Sequence, residues 1–184
     1  MASKHLAFAY PVSSEEEIKS ILEGLRKEHH QANHVCYAWR LGWDKNRYRL
    51  NDDGEPSGTA GKPIFGQIQS DDLTNVLIAV VRYFGGTKLG TGGLIDAYKT
   101  ASRMAIDAGE VILKPVKDHY LLRFPYSSMP VVMKALKAAD MDKLRTDFGE
   151  NCEIEFLVTA EHASMIEAMH SESNHTEVVH LGRL

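Results

Sequence analysis

Five glycines fall within nine positions of this chain, at Gly85, Gly86, Gly90, Gly92 and Gly93. They follow an apolar run from Val76 to Val81 that reads as a buried strand ending in Arg82-Tyr83-Phe84, and a helical pattern starts at Leu94. A strand that runs through a glycine-rich loop into a helix lets backbone N–H groups approach a phosphate. The missing side chains leave room, and the helix N-terminus carries partial positive charge. The loop holds one lysine, Lys88, with Thr91 among its glycines, and Arg82 precedes it. No Gly-Lys-Ser/Thr follows at P-loop spacing, and Gly90-Thr91-Gly92-Gly93 lacks a full dinucleotide fingerprint. The segment therefore marks a candidate anion site without naming its ligand. The competing reading is a sharp turn whose glycines supply positive φ, with Asp96 complementing the helix dipole from the first turn.

A second segment, residues 51–63, reads Asn-Asp-Asp-Gly-Glu-Pro-Ser-Gly-Thr-Ala-Gly-Lys-Pro. Asp52, Asp53 and Glu55 are close enough in sequence to hold a hard cation such as Mg²⁺ opposite a phosphate on the glycine loop. The plainer reading is a type I turn at Asp53-Gly54 followed by a helix cap. Lys62 is placed to pair with one of these acids or to reach the same anion as Lys88.

Charge limits the choice of partner. Residues 1–115 hold 14 basic and 14 acidic side chains, a net of 0, and residues 116–184 hold 7 and 11, a net of −4. A generic polyanion binder shows a basic face, so any such face here is local. The one dense basic cluster is Arg40, Lys45, Arg47 and Arg49, interleaved with Trp43 and Tyr48, which have the rings to stack on bases. An ordinary solvated hairpin tip at Asp44-Lys45-Asn46 explains the same residues. The two cysteines, Cys36 and Cys152, lie far apart, no signal-peptide pattern opens the chain, and no apolar run approaches ~20 residues. A soluble, cytoplasmic protein with reduced thiols is the expectation.

Periodicity divides the chain near Pro115, giving expected domains at 1–114 and 116–184. In the first, His5 to Val12 alternates as a strand, and Ser13-Ser14-Glu15-Glu16-Glu17 starts a helix with a stripe at Ile18, Ile21, Leu22 and Leu25. His29 and His30 are placed to close it. His34–Leu41 and Arg47–Leu50 read as a hairpin. Gly58–Gln69 reads as a helix begun by Thr59, and Val76–Phe84 as the buried strand. Leu94, Ala97, Tyr98, Ala101 and Ala105 line one face of the last helix. After Pro115 the order is βαββαβ: strands at 119–124, 142–148, 153–159 and 176–181, with helices at 127–139 and 161–170. That order is ferredoxin-like, and the fold class is α+β.

The loop continues as Gly92-Gly93-Leu94-Ile95-Asp96-Ala97-Tyr98-Lys99. Together with segment 51–63 and His34-Val35-Cys36-Tyr37-Ala38-Trp39, it closely resembles the IMPACT/YigZ family, in the two-domain bacterial form without an RWD domain. The resemblance implies an N-terminal domain like the fourth domain of elongation factor G, a ribosomal-protein-like βαβ fold. It implies a C-terminal domain like that factor's fifth. Eukaryotic members regulate the translational stress response. At its start the chain departs from the family: it opens as Ala2-Ser3-Lys4-His5-Leu6, with His5 where an aromatic is usual. Incomplete pairing of the first edge strand is the expectation.

Metal and catalytic motifs add little. His29, His30, His34 and Cys36 match no standard zinc spacing, although His34 and Cys36 share a strand face. His34 matches a family position and is placed to line the cleft of Asp52, Asp53 and Glu55. No nucleophile elbow or His-Glu-x-x-His occurs, Ser57 has no identifiable base, and no catalytic residue or cofactor is assigned. The resulting expectation is a translation-linked regulatory or binding protein that contacts RNA or the ribosome, or a translation-factor protein, and no membrane. The contacts would come from Arg82, Lys88, Lys62, the glycine loop and the Arg40–Arg49 hairpin. The alternative is a metal-assisted enzyme acting on a phosphorylated small molecule.

Overall fold

The computed structural model describes residues 3–139, 141–172 and 176–184. The chain forms two compact units, Met1–Ile112 and Leu113–Leu184, and residues 111–116 between their regular elements are exposed.

The first unit runs β1 (Lys4–Pro11), α1 (Glu15–Glu28), β2 (His34–Leu41), β3 (Arg47–Asn51), α2 (Gly61–Ser70), β4 (Val76–Tyr83) and α3 (Gly90–Asp107). Its antiparallel sheet has the order β1-β4-β2-β3. The central strands bury both faces. Val35, Tyr37, Trp39, Leu41, Leu77, Ala79 and Val81 pack with Ile18 and Leu25 of α1. The alternate residues Cys36, Ala38, Ile78 and Val80 pack with Ile64 and Ile68 of α2 and with Leu94 and Tyr98 of α3. Coverage of both faces explains why β2 is buried without interruption from Val35 to Leu41.

α1 starts as its sequence dictates. The Ser14 hydroxyl accepts from Glu17 N–H at 3.2 Å, and the Glu17 carboxylate accepts from Ser13 N–H at 2.8 Å. His29 is its C-cap, with its N–H on the Leu25 carbonyl. β1 is complete: it pairs with β4 from Lys4↔Tyr83 to Pro11↔Val76. The altered start therefore leaves the edge strand intact, because pairing depends on main-chain groups and His5 keeps its place opposite Arg82.

Two helix starts differ from the sequence reading. α2 begins at Gly61, not Gly58, and Thr59 is not its cap; the Thr59 hydroxyl donates to the Pro56 carbonyl at 2.7 Å. α3 begins at Gly90, not Leu94, so Gly90, Thr91, Gly92 and Gly93 form its first turn. Asp96 consequently lies beyond that turn, which holds no acid. Periodicity missed this turn because glycines have no side chain to show it.

The second unit runs β5 (Lys117–Pro125), a 3-10 turn (Tyr126–Ser128), α4 (Met129–Ala138), β6 (Asp142–Phe148), β7 (Asn151–Thr159), α5 (Ala160–Glu172) and β8 (Glu177–Arg183). The βαββαβ series with the order β6-β7-β5-β8 is ferredoxin-like. Tyr120, Leu122, Phe124, Ile154, Phe156 and Val158 pack one sheet face against Val132 and Leu136 of α4 and Ile166 of α5. Asp118, almost fully buried, accepts from Arg183 at 2.8 and 3.0 Å and from His180 at 3.1 Å, tying β5 to β8.

Candidate functional site

The acidic segment after β3 is bound inward. Glu55 N–H bonds the Asp52 carbonyl at 2.9 Å, and Asp53 and Gly54 between them have φ of 45° and 88°. Two positive φ values make this a type I′ turn rather than type I, which suits Asp-Gly. The Asp52 carboxylate accepts from Gly58, Ala60 and Gly61 N–H at 2.9, 3.0 and 2.8 Å. It is the cap of α2, supplied from a preceding turn. Burial alone would raise the Asp52 carboxyl; the three N–H donors outweigh it and hold it below the usual range. A Cβ on Gly61 would lie 2.8 Å from Asn51 N, so only glycine lets α2 start against β3.

Asp53 points the other way. Its carboxylate accepts from Arg26 of α1 at 2.8 and 3.2 Å and from Val35 N–H at 2.6 Å. The His34 ring donates from Nδ1 to the Asp53 carbonyl at 2.7 Å. Glu55 turns into the unit, where Oε1 accepts from Arg82 at 2.5 Å and from the Tyr98 hydroxyl at 2.8 Å. The Glu55 and Arg82 side chains are 3% and 6% exposed, so the pair is an internal one. His5, Arg82 and His34 form one row across β1, β4 and β2. The His5 ring meets Tyr98 edge-on at 5.1 Å. Cys36 donates to the Asp52 carbonyl at 3.0 Å and lies 3.3 Å from the Tyr98 hydroxyl. Burial pushes the Cys36 thiol up to about 12, which rules out a ready thiolate.

Three consequences follow for the predicted residues. Asp52, Asp53 and Glu55 do not converge, since each carboxylate serves a different internal partner. Among the described residues no group of three or more His, Cys, Asp or Glu is arranged to hold a metal ion. Arg82 faces Glu55 and, at 3.2 Å, Ser3 Oγ, while its guanidinium sits 5.6 Å from the Phe84 ring centroid. Glu55 also joins segment 51–63 to both flanks of the glycine loop, through Arg82 before it and Tyr98 after it. Sequence reasoning read Tyr98 as a core position and His5 as a family departure. Their polar atoms gave no signal, because the row depends on cross-strand register.

The loop itself is open. Gly85 is half-buried and Gly86 to Gly92 are exposed, with φ of 89° at Gly86 and 72° at Gly90. Gly85 N–H donates to Ser3 Oγ at 3.3 Å. α3 has no side-chain cap at its N-terminus. Lys88 and Lys62 are exposed and make no ion pair among the described residues.

The hairpin cations are largely engaged. Arg40 is buried and donates to Asp72 at 2.8 Å, and Lys45 binds the other oxygen of the same carboxylate. Arg47 pairs with Glu15 at 2.8 Å. Tyr48 stacks on Phe65 of α2 with centroids 4.8 Å apart. Trp43 is half-exposed at the tip, and Arg49 is exposed with no ion pair among the described residues. The sequence-adjacent basic cluster is thus dispersed over both sheet faces.

Comparison with known proteins agrees with this architecture. The Impact N-terminal domain family matches residues 1–106. IMPACT family member YigZ of Escherichia coli is 35% identical over 135 residues, 72% of this chain and 66% of that protein. IMPACT family member YvyE of Bacillus subtilis is 31% identical over 156 residues, 85% of this chain and 72% of that protein. A crystal structure described as a hypothetical protein is 28% identical with a TM-score of 0.73, covering 96% of this chain and 88% of that one. With the family match on the whole first sheet and its three helices, the chain belongs to the IMPACT family.

Proposed function

We propose that this IMPACT family member is a translation-linked binding protein that contacts RNA or the ribosome through the glycine-loop face of its first unit. The start of α3 carries the reading. Its first turn is glycine-rich, uncapped and free of acids, and it follows an exposed Lys88 without an ion pair among the described residues. Such a helix start offers unpaired N–H donors and partial positive charge to a phosphate. Lys62 is a second exposed cation of this unit. Arg82 has a different role: paired to Glu55, it holds the loop's base in place rather than meeting the ligand.

Family membership supports the translational link, and the cytoplasm is where such a protein would act. Few cations are available, so affinity is modest and steeply salt-dependent. The second unit, net −4 over residues 116–184, contributes no polyanion contact. Purification from cells at low salt, followed by identification of bound RNA, tests the reading. Co-purifying ribosomal subunits or RNA that dissociate with salt support it. A tightly retained nucleotide and no RNA would favour the metal-assisted enzyme instead.

A further inference from the structure

The outer edge of β3 is a docking strand for an extended peptide of another protein, we propose, one that alternates acidic and apolar residues. This goes beyond the RNA-contact reading and uses a different surface.

β3 is the last strand of the order β1-β4-β2-β3, so its outer row of N–H and C=O groups has no neighbouring strand among the described residues. Such an edge pairs with any suitable extended chain unless something blocks it. The edges of the second sheet are irregular, since β6 and β8 each pair with a shifted register. β1, the other edge of this sheet, closes in Pro11. β3 pairs with β2 in unbroken register over Arg47–Asn51, contains no proline, and is exposed from Arg47 to Leu50.

Register defines the chemistry of the two faces. Arg47 and Arg49 lie opposite Leu41 and Trp39, which face α1. Tyr48 and Leu50 lie opposite Arg40 and Ala38, on the α2 face. Tyr48 and Leu50 are 54% and 39% exposed, and Tyr48 rests on Phe65. An added strand places alternate residues on the two faces. Those on the Arg47–Arg49 face meet the positive charge of Arg49, since Arg47 is held by Glu15, and those beside Tyr48 and Leu50 meet apolar surface. Acidic-apolar alternation satisfies both. Main-chain bonds supply the affinity and Arg49 sets the register, so few cations suffice. A phosphate polymer would need more, and Arg40, Lys45 and Arg47 already share carboxylates.

The test is fluorescence anisotropy of the full chain with a labelled eight-residue peptide alternating glutamate and valine. Saturable binding is expected. Blocking the same glutamates and valines into two runs, or N-methylating four consecutive residues, is expected to weaken it at least tenfold. Arg49→Glu is expected to weaken it at least tenfold and to transfer preference to a lysine-valine alternating peptide. That gain of a new ligand distinguishes lost charge from lost folding. Absence of binding, equal binding of the N-methylated peptide, or retention of the original preference by Arg49→Glu overturns the proposal. RNA binding at β3 that displaces the peptide also overturns it, in favour of a nucleic-acid role for the hairpin.

Discussion

Arg82 and Glu55 meet at 2.5 Å inside the first unit, one near the end of β4 and the other in the turn after β3. The contact carries more than its own energy. Glu55 also accepts from Tyr98 of α3, so one carboxylate fixes the strand that enters the glycine loop and the helix that leaves it. The loop is free at its tip and anchored at both feet.

Removing one member of this pair leaves a buried charge without compensation. Glu55→Ala is expected to lower unfolding free energy by about 3–5 kcal/mol. Arg82→Met with Glu55→Leu is expected to recover most of that loss, since no charge then remains to desolvate. Urea unfolding of the parent and the two variants checks this. A double variant no more stable than Glu55→Ala would show that the pair is not the source of the loss.

Asp52 gives a second stability test. Asp52→Ala removes the acceptor for three N–H groups at the start of α2, and caps are worth about 0.5–2 kcal/mol. The upper end is expected here. Because the folded carboxyl is held below its unfolded value, this contribution is complete above the unfolded pKa, about 4, and is lost as pH falls through the folded one. Acid titration of stability should show a smaller loss below about pH 4 for the alanine variant than for the parent.

His5 acts with the same sign in a higher pH window. Burial pushes its imidazole below the ordinary histidine value, and Arg82 acts in the same direction. The unfolded chain therefore takes up a proton that the folded chain resists. This part of the stability is present above about pH 6.5 and is lost as pH falls. His5→Phe keeps a ring against Tyr98 and removes the titration. The variant is expected to show a flatter stability profile between about pH 6.5 and 5. An unchanged profile would place the proton uptake elsewhere.

Much of the fold was legible in the sequence. α1 announced itself through Ser14, three following acids and a clear stripe, and βαββαβ order was readable from alternation alone. The helix starts were less so. Asp52 caps α2 from a turn before it, and local capping rules look only at the residues next to the helix. Gly90 to Gly93 hide the first turn of α3. The site was half legible: glycines and acids marked the segments, but Arg82 and Arg40 read as surface cations. Only cross-strand register and the inward turn at Asp53-Gly54 reveal that they are internal.

Lys88→Ala is the measurement that tests the functional account most directly. Binding of the parent and of this variant to ribosomal RNA is followed as a function of salt. Lys88 makes no ion pair among the described residues, so stability should be unchanged. The account predicts weaker binding and a log–log salt slope shallower by about 0.7–0.9, the loss of one phosphate contact. Absence of RNA binding at low salt, or an identical slope in the variant, would contradict it.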